Sequence, residues 1–267
     1  MLDIRDLRKT FFPHTPNEKK ALQGVNLKLE DGDWVTVIGS NGSGKSTLMN
    51  CIAGMFMPDS GSIVIDGVDV TTMPEFKRAK YIGRVFQDPM LGTAADMQVA
   101  ENLAMASRRG GKLNLKWSAE ASQTEIFTNA LKELDLGLET RLTTRIGTLS
   151  GGQRQAITLL MATLVKPKVL LLDEHTAALD PKTAEKVLAL TEKRITEGHL
   201  TALMITHNMR DALRFGNRLI MMHNGRVLID VKGEKKKNLT VPILLEMFEK
   251  ASGMEFDDPE ALFSTPA

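Results

Sequence analysis

The chain is poor in cysteine: its 267 residues contain one, Cys51. That excludes an intrachain disulfide framework and a zinc cage built on several thiolates, and it fits a reducing compartment. Long apolar runs are also missing. The longest candidate, AITLLMATLV, stops at Lys166 and Pro167, short of the roughly 18 to 20 residues that a membrane-spanning helix needs. The start, MLDIRDLRKTF, is charged and lacks the apolar stretch of a signal peptide. The expectation is a chain that neither crosses a membrane nor is exported by that route. Charge of one sign is not in excess either. The 34 Lys and Arg face 33 Asp and Glu, and a net charge of +1 gives no reason to expect a nucleic-acid partner. No internal repeat or low-complexity tract is present.

What is present is material for a core, with 42% hydrophobic residues. Alternating apolar positions in LDIRDL and LQGVNLKLE predict half-buried strands, and the continuous run WVTVIG predicts a central one. Further buried strands are predicted in SIVID (62–66), YIGRVF (81–86), VLLLD (169–173) and TALMIT (201–206). Between the last two, DPKTAEKVLALTEKRITEG has proline at an early helical position and glycine at its end. Strand, helix and strand at this spacing form a βαβ unit of a parallel sheet. From about Pro89 to Thr148 helical stretches take over, VAENLAMAS and SAEASQTEIFTNALKELDL, which predicts an inserted helical subdomain. Near the end, TVPILLEMFEKAS predicts an amphipathic helix packed on the core, and EFDDPEALFSTPA reads as an acidic, loosely held tail.

After WVTVI comes GSNGSGKST, that is Gly39, Ser40, Asn41, Gly42, Ser43, Gly44, Lys45, Ser46 and Thr47, followed by the helical run LMNCIAG. The pattern G-x-x-x-x-G-K-[ST] between a strand and a helix is a phosphate loop. Its glycines let backbone N–H groups turn toward phosphate oxygens, and the helix N-terminus adds favourable potential. Lys45 would reach the β- and γ-phosphates and Ser46 would ligate Mg²⁺. The plainer reading is a glycine-rich turn with a chance lysine; the strand before it and the helix after it weigh against that. Cys51 falls among apolar residues of the helix and reads as core.

In VLLLDEHTAALD (169–180) an apolar run ends in Asp173 at what would be the carboxyl edge of a parallel sheet. Asp173 then suits the outer Mg²⁺ shell and Glu174 a general base for water, while the alternative is that two acids merely end a buried strand. His175 beside them raises zinc, but no cysteine or second histidine is placed to join it. LSGGQRQAITLLMATLV opens with Ser150 and, three residues on, Gln153, a capping box. Capping does not explain Gly151 and Gly152, each costing about 1 kcal/mol of helix propensity against alanine. Something must approach that backbone closely, and a helix N-terminus is an anion site.

GSNGSGKST, LSGGQ, VLLLDE and ITH, in this order, resemble the nucleotide-binding subunit of ATP-binding-cassette (ABC) transporters. The resemblance covers residues 1–232 and implies a P-loop NTPase (RecA-like) α/β core with an N-terminal antiparallel β subdomain and an inserted helical subdomain. Residues 1–88 and 166–232 would form the core, 89–165 the helical signature subdomain, and 233–267 a short C-terminal helix and acidic tail. It implies a homodimer paired head to tail, each ATP lying between the phosphate loop of one chain and Ser150, Gly151, Gly152 and Gln153 of the other. Gln87 in VFQDP resembles the residue that contacts Mg²⁺ and the water, Asp180 in AALD the loop that communicates across the dimer, and His207 in MITHNM the switch histidine on the γ-phosphate. Phe11 falls where an aromatic stacks on adenine, with Phe12 as the alternative.

One departure concerns His175, where the family usually has proline. The form DEHTAALDP resembles importer ATPases that work with a separate permease and a substrate-binding lipoprotein, some of them handling aromatic amino acids. The implied activity is ATP hydrolysis coupled to solute import at the cytoplasmic face of the membrane, with MLGTAADMQVAENLAM receiving a helix of the permease and Met90, Met97 and Met105 lining the groove. An exporter ATPase shares the cassette and stays open as an alternative. A soluble DNA-repair relative would carry a long coiled-coil insertion, which the sequence lacks.

Overall fold

The computed structural model describes residues 1–111 and 121–253, which divide into two compact units: Met1–Arg78 with the chain from Thr201 onward, and Ala79–Leu200. The acidic tail and residues 118–120 of the long helical stretch lie outside the described residues.

The first unit opens with β1 (Leu2–Phe11) and β2 (Lys19–Leu29), antiparallel, with Leu2 opposite Leu29 and Phe11 opposite Lys19. β3 (Trp34–Ile38) is buried along its whole length and leads through the glycine-rich turn into α1 (Lys45–Ala53). β4 (Ser60–Ile65) and β5 (Val68–Asp69) complete the four-stranded antiparallel sheet β2-β1-β4-β5, and α2 (Glu75–Arg78) follows. SIVID, expected to be buried like the parallel strands, instead lies antiparallel to β1 and alternates between covered and partly covered residues. Its apolar run Ile63-Val64-Ile65 hides that alternation because Val64 is apolar but only partly covered.

The second unit begins with β6 (Ile82–Val85) and continues with α3 (Val99–Ser107), α4 (Ala121–Lys132) and α5 (Gly151–Leu164). β7 (Val169–Asp173) pairs parallel with β6, Ile82 opposite Val169 and Val85 opposite Leu172, and α6 (Pro181–Gly198) follows. Leu103, Phe127, Leu131, Ile146, Ile157 and Leu160 form the core of the helical part. Gly198 is the last helical residue and not the cap; His199 takes the left-handed position at φ 44°.

The chain then returns to the first unit with β8 (Ala202–Ile205), α7 (Met209–Arg214), β9 (Arg218–His223), β10 (Arg226–Lys232), α8 (Glu234–Lys237) and α9 (Val241–Ser252). β3 lies between β8 and β9, parallel to both, and β10 closes antiparallel on β9. β9 and β10 were not among the expected strands. α9 sinks Leu244 and Phe248 into a cluster with Ile38, Leu219 and Met221. Among the described residues no helix is long and apolar enough to cross a membrane.

Candidate functional site

In the first unit, parallel β3 and β8 run in register, Val37 opposite Ile205, so both strands deliver their next residues to one sheet edge. Beyond β3 that residue is Gly39; beyond β8 come Thr206, whose N–H bonds Val37 O at 3.2 Å, and half-buried His207. The structure therefore brings the phosphate loop and His207 to the same edge, where ligands of open α/β sheets bind. Gly39 sits at φ 147°, and a Cβ there would lie 2.2 Å from Met222 O. Gly44 sits at φ 103° with its Cβ position 2.5 Å from Ala21 O, so neither site admits a side chain.

Lys45 is buried within the loop, its Nζ donating to Gly39 O at 2.6 Å and Ser40 O at 3.1 Å. This ammonium holds the loop in a tight ring and can exchange those carbonyls for phosphate oxygens. α1 begins with no acidic residue in its first turn and no side-chain cap, which leaves its N-terminal N–H groups to an anion. Asn41, Gly42 and Ser46 are exposed, Ser40 and Thr47 partly so, and Ser43 is buried. Phe11 ends β1 half-buried, its ring edge-on to Phe56 at 5.2 Å, whereas Phe12 is 67% exposed.

In the second unit the parallel pair β6 and β7 repeats this arrangement. Exposed Gln87 follows β6, and Asp173 and Glu174 end and follow β7 at the same edge. The Asp173 carboxylate is met by Arg84 at 3.3 Å, and that guanidinium also lies 4.5 Å from the Phe86 ring centre. Glu174 takes a left-handed backbone, φ 46°. His175 turns inward and is 2% exposed; its Nε2 lies 2.9 Å from Thr191 Oγ1, and burial lowers its pKa to about 4, so the ring is neutral. It is a core histidine. Asp180 is exposed and caps α6 by accepting from Thr183 N at 3.1 Å; the hydrogen bonds to Thr183 hold its carboxyl below the usual range.

A family model described as ABC transporter matches residues 22–177. A tyrosine transport ATP-binding protein of Clostridioides difficile (strain R20291) is 47% identical over 252 residues, 94% of this chain and 100% of the relative. The chain belongs to the ABC transporter ATPases. As such it is the ATP-binding subunit of a transporter and an ATPase coupled to transport. The thiamine import ATP-binding protein ThiQ of Escherichia coli (strain K12) is 36% identical over 202 residues, 76% of this chain and 82% of that one. Among solved structures, a dimeric ATP-binding cassette in a post-hydrolysis state bound to ADP and Pi superposes with a TM-score of 0.73 at 29% identity, covering 87% of this chain and 98% of that one. These neighbours carry the expected P-loop NTPase fold.

The signature segment of this ABC ATPase opens α5. The capping box is formed: Gln153 N bonds Ser150 Oγ and Ser150 N bonds the Gln153 side chain, both at 3.3 Å. The two glycines separate here. Gly151 is exposed, and a Cβ on it would meet Leu179 at an ordinary 3.4 Å. Gly152 is buried, and its Cβ would lie 2.0 Å from Thr183 Cγ2. The close approach that the sequence demanded is met at Gly152 by the chain's own α6; at Gly151 an added Cβ would meet nothing closer than Leu179. Sequence reasoning also passed over Arg84. Its signal was there, a lone charge inside the otherwise apolar strand YIGRVF.

Proposed function

We propose that this ATPase energises solute uptake through a separate membrane permease, two copies closing head to tail on ATP. The observation that carries the ATP-binding part of the reading is the buried Lys45 ammonium, stapled across Gly39 and Ser40 in a loop that joins an edge-delivering parallel strand to an uncapped helix. In this reading Phe11 stacks on adenine, Gly39–Thr47 hold the phosphates, and Ser150–Gln153 of the other copy complete the site. Glu174 takes a proton from the attacking water as the bond from the γ-phosphorus to the bridging oxygen breaks in line, and His207 contacts the γ-phosphate. Gln87 positions that water, and Asp180 signals across the dimer. Ser46, Gln87 and Asp173 would hold Mg²⁺. A hydroxyl, an amide and a carboxylate are the hard oxygen donors this ion takes, and bound there it neutralises phosphate charge.

Import is supported by the relatives named for tyrosine transport and thiamine import, and the former supports an aromatic amino acid as the solute; a substrate-binding lipoprotein would deliver it. The permease would dock from the cytoplasmic side of the membrane on the segment before and along α3, where Met90 is 38% exposed, Leu91 71% and Met105 48%.

Glu174→Gln tests the site. It should bind ATP and run as a stable dimer in ATP on gel filtration, while hydrolysis falls about 10²- to 10⁴-fold. Near-normal turnover removes Glu174 as the base.

A further inference from the structure

Glu174 stands at φ 46°, a left-handed conformation that costs a residue with a side chain about 1 to 3 kcal/mol and persists only where its surroundings over-determine it. Two bonds to the following turn and helix do so. The first is local: Ala177 N donates to Glu174 O at 2.9 Å. The second runs through the side chain that points the other way. His175 is buried, and its Nε2 meets Thr191 Oγ1 at 2.9 Å. Thr191 has one hydroxyl hydrogen, and it is committed to Val187 O at 2.8 Å, one turn back on α6. The hydroxyl therefore receives from His175, which fixes the proton on Nε2. At its far end the same turn is fastened again, by Asp180 on Thr183 N at the start of α6.

We propose that His175 is a positioning residue for Glu174: the His175–Thr191 bond fastens the turn after β7 to α6 and so fixes the direction in which the Glu174 carboxylate leaves the backbone. Glu174 and His175 are neighbours on one strained turn, so a ring anchored inside sets where the preceding side chain is aimed outside. The inference rests on the reading of Glu174 as the base. A misplacement of about 1 Å at a base can cost up to ~10²-fold in rate without weakening binding.

The test uses the full chain and pairs substitutions on both sides of the bond. His175→Phe keeps the ring and removes the donor; Thr191→Val keeps the shape and removes the acceptor from a helix that is not part of the turn. Each should lower kcat about 10-fold or more with KM and ATP affinity within about twofold, and the double variant should be no slower than the worse single one. Thr191→Ser, which retains the hydroxyl, and His175→Gln, which retains a donor, should recover most of the rate. A packing role alone would lower the melting temperature and leave kcat in place. If Thr191→Val folds and keeps kcat within twofold while Glu174→Gln is inactive, the inference fails and the base stands. If Glu174→Gln itself turns over normally, it is the reading of the base that falls.

Discussion

Gly152→Ala isolates the contact that the structure assigns to the second signature glycine. The new methyl carbon would sit 2.0 Å from Thr183 Cγ2, whereas carbon atoms in contact prefer about 3.5 to 4.0 Å. Thr183 is β-branched and stiff at χ1, so the overlap must be relieved by a poor rotamer or by shifting α5 against α6. Overpacking of this kind costs about 1 to 3 kcal/mol, offset by at most ~1 kcal/mol from alanine's better helix propensity. Gly152→Ala alone should therefore destabilise by up to about 3 kcal/mol, and by up to about 2 kcal/mol if the full helix gain is realised. In a Thr183→Ser background the offending methyl is gone, and the remaining neighbours of the new Cβ stand at 3.5 Å and 3.8 Å. There the same substitution should be neutral or mildly stabilising. Urea unfolding of wild type, both single variants and the double variant gives the coupling directly. A coupling under about 0.5 kcal/mol, or equal destabilisation in both backgrounds, refutes the steric account. Gly151→Ala provides the contrast. Its Cβ meets Leu179 at an ordinary 3.4 Å, so stability should hold while ATP-driven dimerisation weakens, because the exposed backbone is what a second copy would approach.

Two further outcomes concern buried groups beside the phosphate helix. Burial pushes the Cys51 thiol from 9.0 up to about 11, so the folded state keeps the proton longer than the unfolded chain. The stability this contributes is fully present below pH 9 and lost as pH rises from 9 toward 11, by at most ~3 kcal/mol; the stability difference between wild type and Cys51→Ala should move in that window and be flat below it. The fully buried Arg78 donates to Cys51 O at 2.6 Å and Ile52 O at 2.9 Å at the end of α1, and to Met73 O and Thr71 O beside it. Arg78→Met strands those carbonyls and should cost about 3 kcal/mol in urea unfolding, with Arg78→Lys recovering only part because it lacks the planar fork.

The parts of this fold that could be read in the sequence are those whose reasons lie close together in the chain. Val35 to Thr47 spell out strand, loop and helix within one stretch, and Asp180-Pro181 announces the start of α6 by a cap and a proline at the first position. The hairpin of β9 and β10 is also announced, by Asn224-Gly225, whose φ values of 46° and 72° are those of a tight turn between antiparallel strands. Other features could not be read at all. That Gly152 is required by Thr183, that His175 is satisfied by Thr191, and that Asp173 faces Arg84 are facts about partners on other elements, and one sequence carries no sign of which residues will meet. This is why His175 looked like a member of an acidic cluster: its neighbours in sequence are carboxylates, and its neighbour in space is a threonine.

A common device emerges from buried or partly buried cations that bond to main-chain carbonyls at helix ends. Arg78 takes the last carbonyls of α1; Arg109 takes Ala162 O at 2.7 Å and Val165 O at the end of α5; Lys236 takes Phe215 O and, at 2.8 Å, Gly216 O after α7. Burial disfavours the charged form of all three, lowering Lys236 to about 8. A charge kept at that cost must find compensation, and the negative end of a helix dipole supplies it. The opposite ends of these helices are the phosphate loop, the signature segment and the residues after His207. Of the three, only α1 starts without a side-chain cap, so fastening it by its far end leaves its near end free to present N–H groups, and neutralising its negative pole lets the positive pole act on an incoming anion without its counterweight. The proposed phosphate contacts of α1 therefore depend on a residue that never touches the nucleotide, so loss of Arg78 should loosen ATP binding as well as the fold.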